Sequence, residues 1–508
     1  MTGVRTCGIL LHPTSLPSRY GIGDLGANAY KFVDFLHNSK QSIWQILPLN
    51  PVGYGESPYQ SPSAFAGNPM LISLDKLVEQ GYLSAQCISK VPIFNYQQIE
   101  FEKVKNFKEY WLKKAYGRFK KMEKPMEYQQ FIEMHRPWLG SFAAFMALKE
   151  HFKGLAWNCW PQEIALRSET ALKYYQNLLD DQIQYHYFLQ YLFFSQWEEL
   201  KDYANKKGIR IVGDLPIYVS FDSSDTWANP DLFDLDEKNN PVTVAGVPPD
   251  YFSSTGQLWG NPIYNWEQMV KDDFKWWRKR FETLLKLVDI IRIDHFRGFE
   301  SYWEVPAGEK TAINGRWVKA PGDKLFLRVR EYLEDLPVIA EDLGIITPEV
   351  TALKDKYNFP GMRVMQFAFE SNDVRQFSPY YHLENEAVYT GTHDNDTMLG
   401  WYKGTLKNNP QLIKQISRYL DLGKCANDSD ICWRFIEITY QSKANMAVVP
   451  LQDILCLDTD ARMNYPGTVG GNWRWRFSEG VLNEELEEKL SDLALYYNRI
   501  PNSETHKS

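Results

Sequence analysis

Eight short apolar runs, each cut off by a polar or turn residue, set the strongest limit on how this chain folds. They cover residues 8–12, 43–49, 209–216, 288–294, 338–342, 362–369, 387–392 and 445–450. Helix-like stretches such as residues 28–36 and 190–206 lie between most of them, so strand and helix alternate. Eight strands in such an alternation are the number a closed parallel barrel needs. The expected fold is therefore α/β, a (β/α)8 TIM barrel spanning residues 1–508 as one unit.

The spacing of the runs is uneven, and the long gaps predict large, mainly helical insertions at the C-terminal face. Between the second and third runs lie an amphipathic stretch at residues 101–122 and several Trp- and Tyr-rich helical segments. This predicts a helical subdomain over 76–186, inserted after the second strand. A second excursion after the third strand, residues 220–266, is dominated by Asp, Asn, Pro and Gly and is expected as a loop subdomain. A third, at 301–323, is rich in Gly and Lys. Long connections after barrel strands usually build the functional face.

Four of the runs carry an acid at or near their end: IRIVGD at Asp214, DIIRID at Asp294, VIAED at Glu341 and Asp342, and VYTGTHD at Asp394. An acid at such a place costs stability unless it is paired or used. All strand C-termini of a parallel barrel open on one face, so these carboxylates are expected to converge although they are far apart in sequence. Two carboxyls across a glycosidic bond supply what its cleavage requires, an acid for the leaving oxygen and a nucleophile or base opposite. Arg292 lies two residues before Asp294, hence on the same strand face, and would hold it ionised. Glu341 follows the apolar Val338-Ile339-Ala340, where desolvation and neighbouring carboxylates would raise its pKa and keep its proton on.

Each assignment has a plainer alternative. Arg292 and Asp294 also read as a same-strand ion pair that only stabilises the barrel. For Asp394 the plainer reading is turn chemistry: in the HDND run Asp394 or, more readily, Asp396 reads as the N-cap of a helix beginning near Thr397. A calcium loop there lacks the glycine and distant glutamate of an EF-hand. His295 and His393 flank two of the acids and suit hydrogen bonds to sugar hydroxyls, although a histidine beside an acid is often only structural.

Composition narrows the partners. A net charge of −8 without a concentrated Lys/Arg run argues against nucleic acid and membrane surfaces. Aromatic residues make up 15% of the chain, which suits stacking on sugar rings, although most such rings belong to cores. The six cysteines are scattered, with no paired spacing that suggests zinc or a disulfide framework, so no metal or other cofactor is expected and a reducing compartment fits. The opening MTGVRTCGILLHP carries no secretion signal pattern, and no run of about 18 apolar residues occurs, so the expected location is cytoplasmic.

Six stretches carry a resemblance to a known family: residues 53–59 (GYGESPY), 246–252 (GVPPDYF), 292–298 (RIDHFRG), 340–344 (AEDLG), 391–396 (GTHDND) and 464–468 (NYPGT). In this order, and from Cys7 to about Phe477, the chain resembles the amylomaltase or disproportionating-enzyme family, glycoside hydrolase family 77 of the α-amylase superfamily. The resemblance implies a retaining 4-α-glucanotransferase that takes an α-1,4-glucan donor and passes a segment to a glucose or maltooligosaccharide acceptor. By similarity Asp294 looks like the nucleophile, Glu341 like the acid/base and Asp394 like the acid that stabilises the transition state. Arg292, His295, His393 and Asp214 look like ligands of the sugar at the cleavage point. Ser57, Tyr59 and Asn464 would contact donor sugars, Gln257 and Trp259 would lie in a flexible loop over the acceptor side, and Tyr54 resembles part of a secondary glucan site. Departures from the family pattern, at Ala320, Ser254 and Leu258, leave the acids untouched. An α-amylase-type hydrolase and an inactive glucan-binding protein are the competing readings.

Overall fold

The structure is a computed structural model that describes residues 4–249, 253–370, 379–422 and 426–500. Its strands in chain order are β1 (Thr6–Leu10), β2 (Ile43–Gln45), β3 (Arg210–Pro216), β4 (Thr243–Val247), β5 (Gln257–Pro262), β6 (Ile290–Asp294), β7 (Ser301–Pro306), β8 (Arg316–Lys319), β9 (Val338–Ala340), β10 (Gly361–Val364), β11 (Glu386–Tyr389) and β12 (Met446–Pro450). Eight of these close a barrel in the order β1-β12-β11-β10-β9-β6-β3-β2, with every pairing parallel. They correspond one for one to the eight apolar runs.

Both faces of each barrel strand are buried, which is why the runs are continuous rather than alternating. Leu10, Ile43, Val212, Ile290, Ile339 and Tyr389 belong to the cluster that fills the barrel axis. Their neighbours of opposite parity, among them Ile9, Ile211, Ile291, Val388 and Val449, join the larger core beneath the helices. Several ladders stop sooner than the apolar runs do: β2 ends at Gln45, and Phe367–Glu370 is a short helix. Ile46, Leu47 and Leu49 continue the apolar pattern because they are buried, although they lie beyond the ladder.

Between β2 and β3 the chain forms the helices Phe101–Phe119, Met126–His151, Glu169–Leu178 and Asp180–Lys206. The last runs unbroken through residue 186 and packs against Ala27–Asn38 as well as Met126–His151, so insertion and barrel wall share one helix. Lys108, fully buried, donates to the Met70 carbonyl at 2.5 Å and faces Asp24 at 3.5 Å, pinning the insertion to the barrel. At the opposite end of the sequence, buried Arg499 donates to the carbonyls of Thr6, Tyr440, Ser442 and Ala444.

The 220–266 excursion is not only loop. Its β4 and β5 combine with β7 and β8 into an antiparallel sheet of order β5-β4-β7-β8. Pairing with a segment some sixty residues downstream, which local composition does not report, makes strands of a stretch rich in Asn, Pro and Gly. Among the described residues no helix is long and apolar enough to cross a membrane.

Candidate active site

Strand parity builds the site. Two residues beyond Val212, Ile290 and Ile339, which point to the barrel axis, come Asp214, Arg292 and Glu341, and two beyond Arg292 comes Asp294. The apolar interior thus gives way to a polar layer at the C-terminal mouth. In the β6/β9 ladder Arg292 pairs with Ile339 and Ile293 with Ala340, so the next position sets Asp294 opposite Glu341. Neighbouring strands stand about 4.8 Å apart, so two carboxyls at matched register on one face are close neighbours.

Arg292, almost fully buried, donates to Asp214 Oδ2 at 2.7 Å and lies 3.3 Å from Asp294 Oδ1. Tyr59 donates its hydroxyl to the same Asp214 oxygen at 2.5 Å. Burial alone would lower the pKa of the guanidinium, but Asp214 and Asp294 reverse this and hold it well above its ordinary value. Asp294 opens to the cleft with 29% of its side chain exposed. Its partial burial raises its pKa and Arg292 opposes that rise, while Asp214 and Asp394 add to it.

Glu341 has the contrasting setting. Burial first, and then the charge of Asp294, push its carboxyl up to about 7 against the pull of Arg292. Its two oxygens accept backbone N–H groups, Oε2 from His295 and Oε1 from Leu343, each at 2.8 Å. His295 has φ +53°, left-handed for a non-glycine residue, and this turn brings its N–H to Glu341. The His295 ring is held neutral, its pKa lowered to about 3 by burial and then by Arg297. Arg292 screens Asp294 at contact distance while no described cation pairs with Glu341, so a proton shared by the pair resides on Glu341.

Asp342 takes no part in this layer. Opposite parity turns it outward, where it accepts the Met362 N–H at 2.7 Å and pairs with Arg363 at 3.4 Å. A Cβ on Gly361 would stand 2.5 Å from an Asp342 oxygen, so glycine is required beneath it.

Asp394 reaches the site from a loop, since β11 ends at Tyr389. Asn464 donates to its Oδ1 at 2.7 Å, and His393 Nε2 lies 3.4 Å from the same oxygen. Arg462 donates to the main-chain carbonyls of both Asp394 and Asn464, at 2.6 and 2.7 Å, and stacks on Tyr465. Asp396 is not the N-cap of the following helix. Met398–Asn408 is capped by Thr397, whose hydroxyl accepts the Gly400 N–H, while Asp396 accepts from Thr397 N and Thr459. The threonine is the residue with the right offset to the free N–H groups of the first turn.

Ser57 accepts the Tyr59 N–H at 3.2 Å and thereby fixes the turn that delivers Tyr59. The Tyr59 ring stacks on His393 with centroids 5.2 Å apart and meets Trp473 at 5.7 Å. Gln257 and Trp259 lie on the edge strand β5 instead of a loop, and Trp259 stands edge-on to His295 at 4.8 Å. Tyr54 begins the turn Tyr54–Glu56, and its side chain is outside the described set. Residues 250–252 of the 246–252 motif are likewise outside the described residues. Trp473 and Arg462 are the additions that sequence reasoning missed. Neither ends a strand or stands beside an acid in the chain.

Residues 11–483 match the family model described as 4-alpha-glucanotransferase. A 4-alpha-glucanotransferase of Synechocystis is 49% identical over 98% of this chain and 99% of its own length. One from Streptococcus pneumoniae is 48% identical over 98% of both chains. Among solved structures, the amylomaltase from Streptococcus agalactiae in complex with acarbose superposes with a TM-score of 0.93 at 41% identity, covering 97% of this chain and 99% of that one.

Proposed function

The chain belongs to the 4-α-glucanotransferase family, glycoside hydrolase family 77, and on that premise we propose that Asp294 and Glu341 carry out a retaining double displacement on an α-1,4-glucan. As a family member it is a glycosyltransferase-type enzyme. The observation that carries the mechanism is the matched register of the two carboxyls on adjacent strands, with unequal electrostatic settings. Retaining enzymes hold such a pair about 5–5.5 Å apart, whereas inverting ones leave room for a water.

In the first step Asp294 attacks the anomeric carbon while Glu341 gives its proton to the departing 4-oxygen, and a glycosyl ester forms. In the second, Glu341 takes the proton of an acceptor 4-hydroxyl, whose oxygen displaces the Asp294 carboxylate. Asp394, braced by Asn464 and near His393, stabilises the positive charge that develops at the ring in both transition states. Arg292, Asp214 and Tyr59 form the base of the pocket and hold Asp294 in place and ionised. Ser57 and Asn464 serve the donor side, and His295 and His393 meet hydroxyls of the reacting sugar. Trp259 and Gln257 cover the acceptor side next to Glu341, which favours a bound sugar over water. Tyr54 is proposed for a secondary glucan site by family similarity alone. The five free cysteines among the described residues suit the cytoplasmic setting we propose.

Maltotriose as sole substrate tests the reaction. Transfer yields free glucose together with a ladder of longer maltooligosaccharides, whereas only shorter products with steadily rising reducing ends would establish hydrolysis. The pH profile tests the assignment within it. Activity should fall as pH rises through about 7, where Glu341 loses its proton, and at the acid end, where Asp294 gains one. In Glu341→Gln, assayed with an α-maltosyl fluoride donor whose fluoride leaves without a proton, the alkaline limb of ester formation should vanish. Wild-type turnover of maltotriose by that variant would remove Glu341 from the mechanism.

A further inference from the structure

The parity that places the acids also places a residue to which no role has yet been given. Leu10, the last residue of β1, belongs to the cluster on the barrel axis, and the ladder continues past it because Leu11 donates its N–H to the Gln45 carbonyl at 2.9 Å. Two residues beyond Leu10 is His12, which therefore enters the same polar layer as Asp214, Arg292 and Glu341. In the closed order β1 stands four strands from β9, directly across an eight-stranded barrel. His12 thus faces the mouth from the side opposite Glu341, near His393.

Its surroundings are unusual for a structural histidine. The residue is 5% exposed, its Nδ1 is sealed from solvent with no hydrogen-bond partner, and no described residue bonds to Nε2. Nε2 is thus the nitrogen with access to the cleft. Burial, and next the proximity of His393, lower its pKa to about 3, so the ring is neutral throughout the working range. A sealed N–H without an acceptor is rarer than a sealed lone pair, so the proton belongs on Nε2. An imidazole held this way gives the fold nothing that leucine would not give, which leaves a ligand as the reason for it.

We propose that His12 binds the reacting sugar, its Nε2–H donating to a hydroxyl of the glucosyl unit attached to Asp294, on the edge of the ring away from Glu341. The inference rests on the glucanotransferase reading above and adds a sugar-binding residue to it. Glu341 handles the leaving and entering oxygens on one side, and His12 fixes the ring from the other, so that the anomeric carbon stays in line with Asp294.

The test compares His12→Leu and His12→Gln with the wild-type full-length enzyme in maltotriose disproportionation and in urea unfolding. Glutamine carries an amide N–H near the place of Nε2, whereas leucine carries none. The expected result is a loss of about 10- to 100-fold in kcat/KM for His12→Leu, with an unfolding midpoint equal to or above that of the wild type, and partial recovery in His12→Gln. Wild-type kcat/KM in His12→Leu overturns the proposal. A loss accompanied by a lower midpoint assigns His12 to the fold instead, and a loss that glutamine does not relieve removes the donor role. A wild type that makes no ladder refutes the glucanotransferase reading itself, whereas an active wild type with an unaffected His12→Leu refutes only this inference.

Discussion

Asp294→Asn is expected to lower disproportionation of maltotriose by about 10^4-fold or more while leaving the fold at least as stable as the wild type. The activity falls because the amide cannot form the glycosyl ester, and the neighbouring carboxyls are already committed. Asp214 is engaged by Arg292 and Tyr59, and Asp394 by Asn464. Stability is maintained for an electrostatic reason. Burial together with Asp214 and Asp394 raises the pKa of Asp294 despite Arg292, so its ionised form is held against a penalty. A neutral amide of the same shape removes that penalty, and Arg292 retains its 2.7 Å bond to Asp214. The substitution should also move Glu341. The Asp294 charge is the second cause of its raised pKa, so the Glu341 carboxyl should titrate below about 7 in the variant. Infrared difference titration in the carboxyl region reads this directly. Residual transfer above about 1% of wild type would rule out the ester at Asp294.

Strand parity, rather than electrostatics, explains which parts of the site were legible in the sequence. Asp214, Arg292, Asp294 and Glu341 could be read because their placement depends on two local rules, that apolar runs mark strands and that alternate residues share a face. These rules also separate Glu341 from Asp342, which look equivalent as strand-end acids and point opposite ways in the structure. His12 obeys the same rule at the end of β1. It escaped notice because a lone histidine in a Pro-rich loop carries no charge pattern. Asp394 was legible as an acid following an apolar run, but not its support, since it lies in a loop beyond the end of β11 and is held by Arg462 and Asn464, both more than sixty residues away. Long-range contacts of this kind leave no periodic trace. The β5-β4-β7-β8 sheet was illegible for the same reason, its strands being specified by each other across a long separation more than by their own residues.

Arg292 is where fold and chemistry meet, and its removal is expected to damage both. The Asp214 side chain is fully buried, and its Oδ1 has no hydrogen-bond partner among the described residues. Arg292→Leu would leave that charge opposed only by the Tyr59 hydroxyl, which typically costs about 3–5 kcal/mol of folding stability. Asp294 would lose the stronger of the two groups, Arg292 and His393, that counter its burial, so its pKa would rise further and the ionised carboxylate proposed as nucleophile would become scarce at neutral pH. A carboxyl that is already raised needs a higher pH to ionise when its cation is removed, so the acid limb of the activity profile must move upward. Activity at pH 7 should drop by about 10^3-fold, with part of it returning at higher pH until Glu341 deprotonates. Combining Arg292→Leu with Asp214→Asn separates the two consequences. The amide removes the uncompensated charge and still accepts from Tyr59, so urea resistance should recover, whereas transfer should not, because Asp294 still lacks its cation. An unchanged unfolding midpoint in Arg292→Leu would show that the buried pair adds nothing to stability. An acid limb that stays in place would show that something other than this guanidinium keeps Asp294 ionised.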